Sequence, residues 1–318
     1  MKEEEDIYTV YHPYYNIQTL PSVCVCVADD AGFEGGLFSH PACQTPHLDS
    51  LAQRSILFRK SFGAVSSCSP SRASILTGLP PHQSGMYGLH HAMHHFQAFD
   101  AVQSLPRILS QHGIKTGIIG KKHVGPEAVF PFDFAQTEEN NPVNQVGRNI
   151  TKIKLLVREF LQQYHGTNPW MLYIGFHDPH RCGHTNPELG QFCEKFGADG
   201  AIPDWTPQHY TPDMVEVPYF VPDTPASRSD LAAQYTSIGR MDQGVGIVLK
   251  ELARVGALDS TLVIYTSDNG ISFPAGRTNL YDSGLAVPLL VAVPGADFSQ
   301  LFRIPGVGPL LRSINRVS

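Results

Sequence analysis

At residues 68 to 72 the chain reads CSPSR, which places a thiol, two hydroxyls, a proline and an arginine within five positions. An activated thiol is a strong nucleophile, and a guanidinium four residues further on is placed to hold an anion that such a nucleophile would attack. The continuation PSRASILTG predicts a helix with Pro70 in its first turn. Cys68 and Ser69 then stand at the positive N-terminal end, where nucleophile and anion are both favoured. Cysteine-dependent phosphatase chemistry does not fit. Its phosphate cradle needs the spacing C-x5-R without proline, and here arginine is the fourth residue after Cys68.

A second set of candidates is built from oxygen. Asp29 and Asp30 follow the apolar run SVCVCVA, and Asp268 and Asn269 follow TLVIYTS. Taken singly, an Asp pair reads as a helix cap and DNG as a turn. Brought together, three carboxylates and an amide oxygen suit a hard divalent cation, calcium or magnesium, better than zinc. Without a cation the acids would repel and raise one another's pKa values. Two further apolar runs, KTGIIG and WMLYIGF, lead into GKKHVG, with Lys121, Lys122 and His123, and into HDPHRCGH, with Asp178 and His180.

The elements that must carry these residues alternate. Strands are expected at 22–28, 115–120, 170–176, 261–267 and 288–293, each short, apolar and without period-two alternation, as for strands buried on both faces. Between them lie helical patterns: TPHLDSLAQRS with Thr45 as N-cap, SLPRILSQHG ending on glycine, NITKIKLLVREFLQQ, and a long helix from Pro225 to Gly256. This order implies an α/β fold with a mostly parallel central sheet flanked by helices. In such sheets ligands gather at the carboxyl ends of the strands, where the polar motifs lie. The stretch from Pro203 to Pro225 reads as a long surface excursion.

The 318 residues, 42% hydrophobic, suffice for a substantial core. A net charge of −6 with scattered lysines and arginines excludes a nucleic-acid partner, and no apolar run reaches membrane-spanning length. The opening MKEEEDIYTVYHPYY is acidic and aromatic where a signal peptide is basic and then apolar, so no export signal is expected in it. Among six cysteines, Cys24 and Cys26 read as small buried hydrophobes on one strand face. Cys182 and Cys193 bracket a polar loop and could close a disulfide in an oxidising compartment; the sequon at Asn149 points the same way. His90, His91, His94 and His95 have metal-like spacing without an acidic or thiol partner, and read as pocket wall or surface.

C-x-P-S-R followed by S-x-L-T-G (Ser74 to Gly78) resembles the signature of the type I sulfatases, in which the cysteine is oxidised after synthesis to formylglycine. Within that family the chain is similar to the sulfamidase branch, through VADD, SSCSPSRASILTGLP, GMYGLHHAMHHF, GIIGKKHVGPE, FHDPHRCGH, FCEKFG, IPDWTPQ, QYTSIGRMDQGVG and TSDNGISFPAGRTNLY, over residues 22–293. The resemblance implies the sulfatase and alkaline-phosphatase-like fold. It also implies one divalent cation, calcium, held by Asp29, Asp30, Asp268, Asn269 and the modified Cys68. The hydrated aldehyde at position 68 would attack sulfur, and its second hydroxyl would later expel sulfate.

By the same resemblance, His123 is the base for that expulsion, Arg72 and Lys121 orient the nucleophile and offset charge on the sulfuryl oxygens, and His180 protonates the leaving nitrogen. Arg277 stands where many sulfatases carry a lysine touching the sulfate. Asp178, read from the residues themselves, either orients His180, touches substrate, or closes an Asx turn before Pro179. The implied substrate is a heparan sulfate oligosaccharide ending in N-sulfoglucosamine. The implied partners are a formylglycine-generating enzyme and, for full-length members, a second copy in a homodimer; the implied compartment is the lysosome. Residues 1–21 and 294–318 depart from the family, leaving 22–293 as a truncated catalytic domain without the C-terminal subdomain. A metal-dependent phosphoesterase, an O-sulfatase or a catalytically inactive relative would share the fold; Pro70 with Arg72 argues against the phosphoesterase.

Overall fold

The structure is a computed structural model, and it describes residues 21–33, 42–91, 93–139, 145–166, 169–183 and 190–295. Residues 1–20 and 296–318, nearly all of the two segments expected to depart from the family, therefore lie outside the described residues, as does the histidine that ends HDPHRCGH.

Among the described residues seven strands form one sheet, in the spatial order β2-β7-β6-β1-β5-β3-β4. The expected strands are β1 (Ser22–Ala28), β3 (Lys115–Gly120), β5 (Trp170–Gly175), β6 (Thr261–Ser267) and β7 (Leu289–Ala292). Two short ones, β2 (Ile56–Phe58) and β4 (Phe134–Thr137), were not legible as strands at three and four residues. The pairs β1 with β5, β1 with β6, β3 with β5 and β3 with β4 are parallel. Among the described strands only β7 runs against its neighbours, β6 and β2. The fold is α/β with a mostly parallel sheet.

One face of the sheet is covered by α1 (Pro46–Ala52), α5 (Ile150–Tyr164) and the 30-residue α6 (Pro225–Arg254). Cys24, Cys26, Ile119, Leu172, Ile174, Val263, Tyr265 and Leu290 point into that core. The other face packs under α2 (Cys68–Thr77) and α4 (Leu105–Gln111), with the one-turn α3 (Pro81–Ser84) between them in the chain; α2 and α4 cover Val25, Val27, Ile118, Met171 and Tyr173. Beyond β1 that second face is only half-covered. Along β6 the buried residues alternate with half-exposed Leu262, Ile264 and Thr266, so this strand does not fit the expectation of burial on both faces.

One further expectation holds and one needs revision. Helix α2 begins at Cys68, so Pro70 falls in its first turn as expected; Ser67 takes the N-cap position without a side-chain cap bond, and left-handed Gly78 follows the last turn. Proline is tolerated there because the first N–H groups of a helix have no intrahelical acceptor anyway. The excursion at 203–225 is partly internal: Trp205, Tyr210, Val215 and Val221 are buried, and the last three join the main core. Asn149, in the sequon, caps α5 by accepting the Lys152 N–H at 3.0 Å.

Candidate active site

Strand register places the first acids. In the parallel β1–β6 pair Ala28 lies opposite Ser267, so Asp29 and Asp268 leave the sheet side by side, with Asp268 N–H donating to the Ala28 carbonyl at 3.1 Å. Asp30 adopts φ 60, a left-handed conformation that turns its side chain back toward the cluster. Its N–H donates to Asp268 Oδ1 (3.1 Å), and Asn269 Nδ2 donates to Asp30 Oδ1 (2.8 Å). All four side chains are fully buried.

The β3–β5 register works the same way, with Gly120 opposite Gly175. Lys121 N–H donates to the Gly175 carbonyl at 2.7 Å, and a Cβ on Gly175 would stand 2.2 Å from the Lys121 carbonyl oxygen. Only glycine permits that approach. Lys121 is thereby delivered to Asp29, whose Oδ2 it binds. Lys122 turns away to Glu127 and the Phe132 ring.

Helix α2 presents Cys68 at its N-terminus with Sγ 3.5 Å from Asp29 Oδ1 and 3.8 Å from Asp30 Oδ1. Arg72, one turn on and fully buried, donates from Nε to Asp268 Oδ2 (2.9 Å) and from Nη1 to the Lys121 carbonyl (3.1 Å). Arg277 donates from Nη2 to Cys68 Sγ at 3.1 Å and pairs with Asp30 at 3.1 Å. His180 stands with Nε2 3.7 Å from Asp30 Oδ2, its Nδ1 bonded to the Arg181 carbonyl at 2.5 Å. His123 lies near Lys121 and Arg72, 9% exposed.

The electrostatics follow from burial. Burial alone would raise the Asp29 carboxyl, but Lys121, His180 and Arg72 hold it well below the usual carboxylate range. Burial pushes Asp30 up to about 7 against the pull of Arg277, and Asp268 up to about 6 against that of Arg72. Burial also pushes the Cys68 thiol well up, opposed by Lys121 and reinforced by the carboxylates, so an unmodified Cys68 is a thiol and a poor nucleophile. Burial lowers both His123 and His180, with Lys121 adding to each.

The donor set fits a hard cation. Asp29, Asp30, Cys68 and His180 offer ligand atoms within 4.8 Å of one another, and the Asp30 Oδ2 and Asn269 Oδ1 atoms are buried with no hydrogen-bond partner. Orphaned buried oxygens are costly, and a cation would satisfy them. His180 enters this cluster although only oxygen donors and position 68 were expected there.

Asp178 does not line the cleft. Its carboxylate is 1% exposed and is taken by Arg240, through Nε at 2.7 Å and Nη2 at 2.8 Å, and by Arg148 at 2.5 Å. Arg148 also donates to the His180 carbonyl (2.8 Å), so Asp178 anchors the loop that carries His180. Arg240 reaches on to the Cys193 carbonyl (2.9 Å) beside the Cys182–Cys193 disulfide, whose Cα atoms are 5.4 Å apart. Arg148, Arg240, Glu138, Glu139 and His177 were not singled out from sequence. His177 bonds Glu138 at 2.9 Å and faces Asp29 at 3.7 Å; its place in HDPH was the one available signal.

A mostly parallel α/β sheet with a helix that carries Cys68 at its N-terminus and an acid cluster at the strand ends defines the class, and a family model named Sulfatase matches residues 21–299. The chain belongs to the sulfatase family. It is 67% identical over 272 residues to N-sulphoglucosamine sulphohydrolase of Homo sapiens, across 84% of this chain and 54% of that protein. The chain thus spans about half the length of the relatives it matches. The fold is shared with a 2-O GAG sulfatase (TM-score 0.64, 19% identity, 86% of this chain and 64% of that one). It is also shared with the phosphonate monoester hydrolase of Agrobacterium radiobacter (TM-score 0.57, 18% identity, 87% and 68%).

Proposed function

We propose that the chain carries the catalytic site of a sulfamidase, which hydrolyses the N-linked sulfate of terminal N-sulfoglucosamine in heparan sulfate. The observation that carries this reading is the convergence of Cys68, Arg72, Lys121, His123, His180 and Arg277 on one acid cluster in a chain 67% identical to N-sulphoglucosamine sulphohydrolase. The shared fold alone would admit phosphonate esters and O-sulfates equally, because fold does not decide chemistry.

Asp29, Asp30, Asp268 and Asn269 would hold the cation, calcium in this reading, and it would supply Lewis acidity toward a sulfuryl oxygen. Conversion of Cys68 to formylglycine by a generating enzyme would supply a hydrated aldehyde, with one oxygen to attack sulfur and a second to expel sulfate. Arg277, which touches position 68, and Lys121, which pairs with Asp29 beside it, bind and orient the sulfuryl group, and Arg72 fixes Asp268 and the Lys121 backbone. His123 accepts the proton whose removal releases sulfate. His180 delivers a proton to the sugar nitrogen, and burial disfavours its imidazolium, so turnover favours acidic conditions, in keeping with a lysosomal setting.

The test is to express the chain in a secretory cell, determine the mass of the peptide containing residue 68, and assay N-sulfated glucosamine against an O-sulfated sugar. An aldehyde at position 68 with preference for the N-sulfated sugar is expected. Preference for the O-sulfated sugar would reject the sulfamidase reading.

A further inference from the structure

His123 is held in an uncommon conformation. Its φ is 55, in the left-handed region that a side chain with a Cβ enters at a cost of about 1–3 kcal/mol unless its surroundings impose it. Two neighbours supply that constraint. Glu139 Oε1 accepts the His123 backbone N–H at 2.9 Å and the His91 Nε2 at 3.2 Å. The His91 ring lies flat over the His123 ring, with centroids 4.6 Å apart and planes 16° from parallel. His90, bonded through Nδ1 to the Phe96 carbonyl (3.1 Å), backs His91 at 4.9 Å. The Glu139 carboxyl is lowered to about 2; burial opposes the shift, and the bonds from His91 and the His123 backbone outweigh it.

We propose that His91 and Glu139 are positioning residues for His123 in the hydrolysis described above, an assignment that rests on that reading of the site. Glu139 holds the strained backbone by accepting the His123 N–H at 2.9 Å. His91 covers one face of the imidazole, so the ring keeps its rotamer and meets water on fewer sides. His123 Nδ1 is buried without a hydrogen-bond partner, so no bond from that nitrogen orients the ring, and the stacked His91 ring supplies a constraint in its place. This gives part of the GLHHAMHHF run a role beyond pocket wall. His91, with a half-exposed side chain, carries it by ring stacking rather than by metal binding.

The experiment compares His91→Ala, His91→Phe and Glu139→Gln in the whole chain. With N-sulfated glucosamine as substrate, His91→Ala should lower kcat about tenfold at nearly constant KM, as expected for a misplaced base. His91→Phe keeps a flat ring and should stay within about twofold of the parent. A fall in His91→Phe as deep as in His91→Ala, or a rise in KM with kcat retained, would overturn the stacking role. Independently of turnover, amide exchange at His123 should quicken at least about tenfold in Glu139→Gln as its acceptor weakens; unchanged exchange would overturn the role of Glu139. An inactive parent would instead reject the hydrolase reading, while the exchange measurement would still decide how His123 is held.

Discussion

Asp178 and His180, two residues apart in one loop, have opposite tasks. Asp178 is a buried carboxylate neutralised by Arg148 and Arg240, so removing its charge strands two guanidinium groups in the interior. Asp178→Ala is therefore expected to lose about 3–5 kcal/mol of stability, measured by chemical unfolding, with activity falling in step as the His180 loop loosens. His180 faces the acid cluster, and its replacement should act on chemistry rather than folding. His180→Ala should slow hydrolysis of the N-sulfated sugar by about 10²-fold or more, and should slow an aryl sulfate, whose leaving group needs no proton, far less. Equal losses on both substrates, measured as kcat/KM, would remove His180 from the proton-donor role.

At the scale of elements, the site depends on strands that approach one another without side chains in the way. Gly175, on β5, passes the Lys121 carbonyl so closely that an added Cβ would be 2.2 Å from it. Gly175→Ala should cost about 1–3 kcal/mol by overpacking and should displace Lys121 from Asp29. The readouts are the melting temperature and the activity, which should fall together. A second element-scale prediction concerns α1 and α6. Asp242, on α6, accepts the N–H groups of Leu48 (2.8 Å) and His47 (3.2 Å) at the start of α1, yet burial outweighs these bonds and raises its carboxyl to about 7. The folded protein then holds a proton that the unfolded chain, with a carboxyl near 4, has released. Its contribution to stability is full below about pH 4 and is lost as pH rises through about 7. Asp242→Asn should gain stability relative to the parent, on the order of 1 kcal/mol, between about pH 5 and about pH 8. A constant difference in melting temperature across that range would count against the protonated form.

For the whole molecule, the acid cluster joins β1, α2 and β6, so its occupancy bears on the stability of the entire sheet. Adding a chelator to the calcium-loaded protein should lower the melting temperature, and restoring the cation should reverse the change. At a free cation concentration about 100 times its Kd the stabilisation is about 2.7 kcal/mol. Asp29→Ala should abolish the calcium-dependent shift while the variant still melts cooperatively. A shift that survives in this variant would place the binding site elsewhere.

Much of this arrangement was legible in the residues themselves. Apolar runs of six or seven residues that end in Asp-Asp, Lys-Lys-His, His-Asp-Pro-His or Asp-Asn-Gly declared both the strands and the ends at which ligands gather, because side-chain chemistry and chain polarity are local properties. CSPSR declared a helix N-terminus with a nucleophile and an anion partner for the same reason. The shorter elements stayed hidden: β2 and β4 carry three and four residues, too few for a pattern, and they exist because a neighbouring strand offers them hydrogen bonds. The loop after β4 delivers Glu138 and Glu139 to His177, His91 and His123, contacts that no local spacing encodes. Strand register likewise determined which acid stands beside which, setting Asp29 against Asp268 and Lys121 against Gly175 across separations of 239 and 54 residues. Residue type and order determined the chemistry available at each strand end. The tertiary structure decided which charges are paired, because pairing depends on distance and desolvation, and both arise only when remote segments pack.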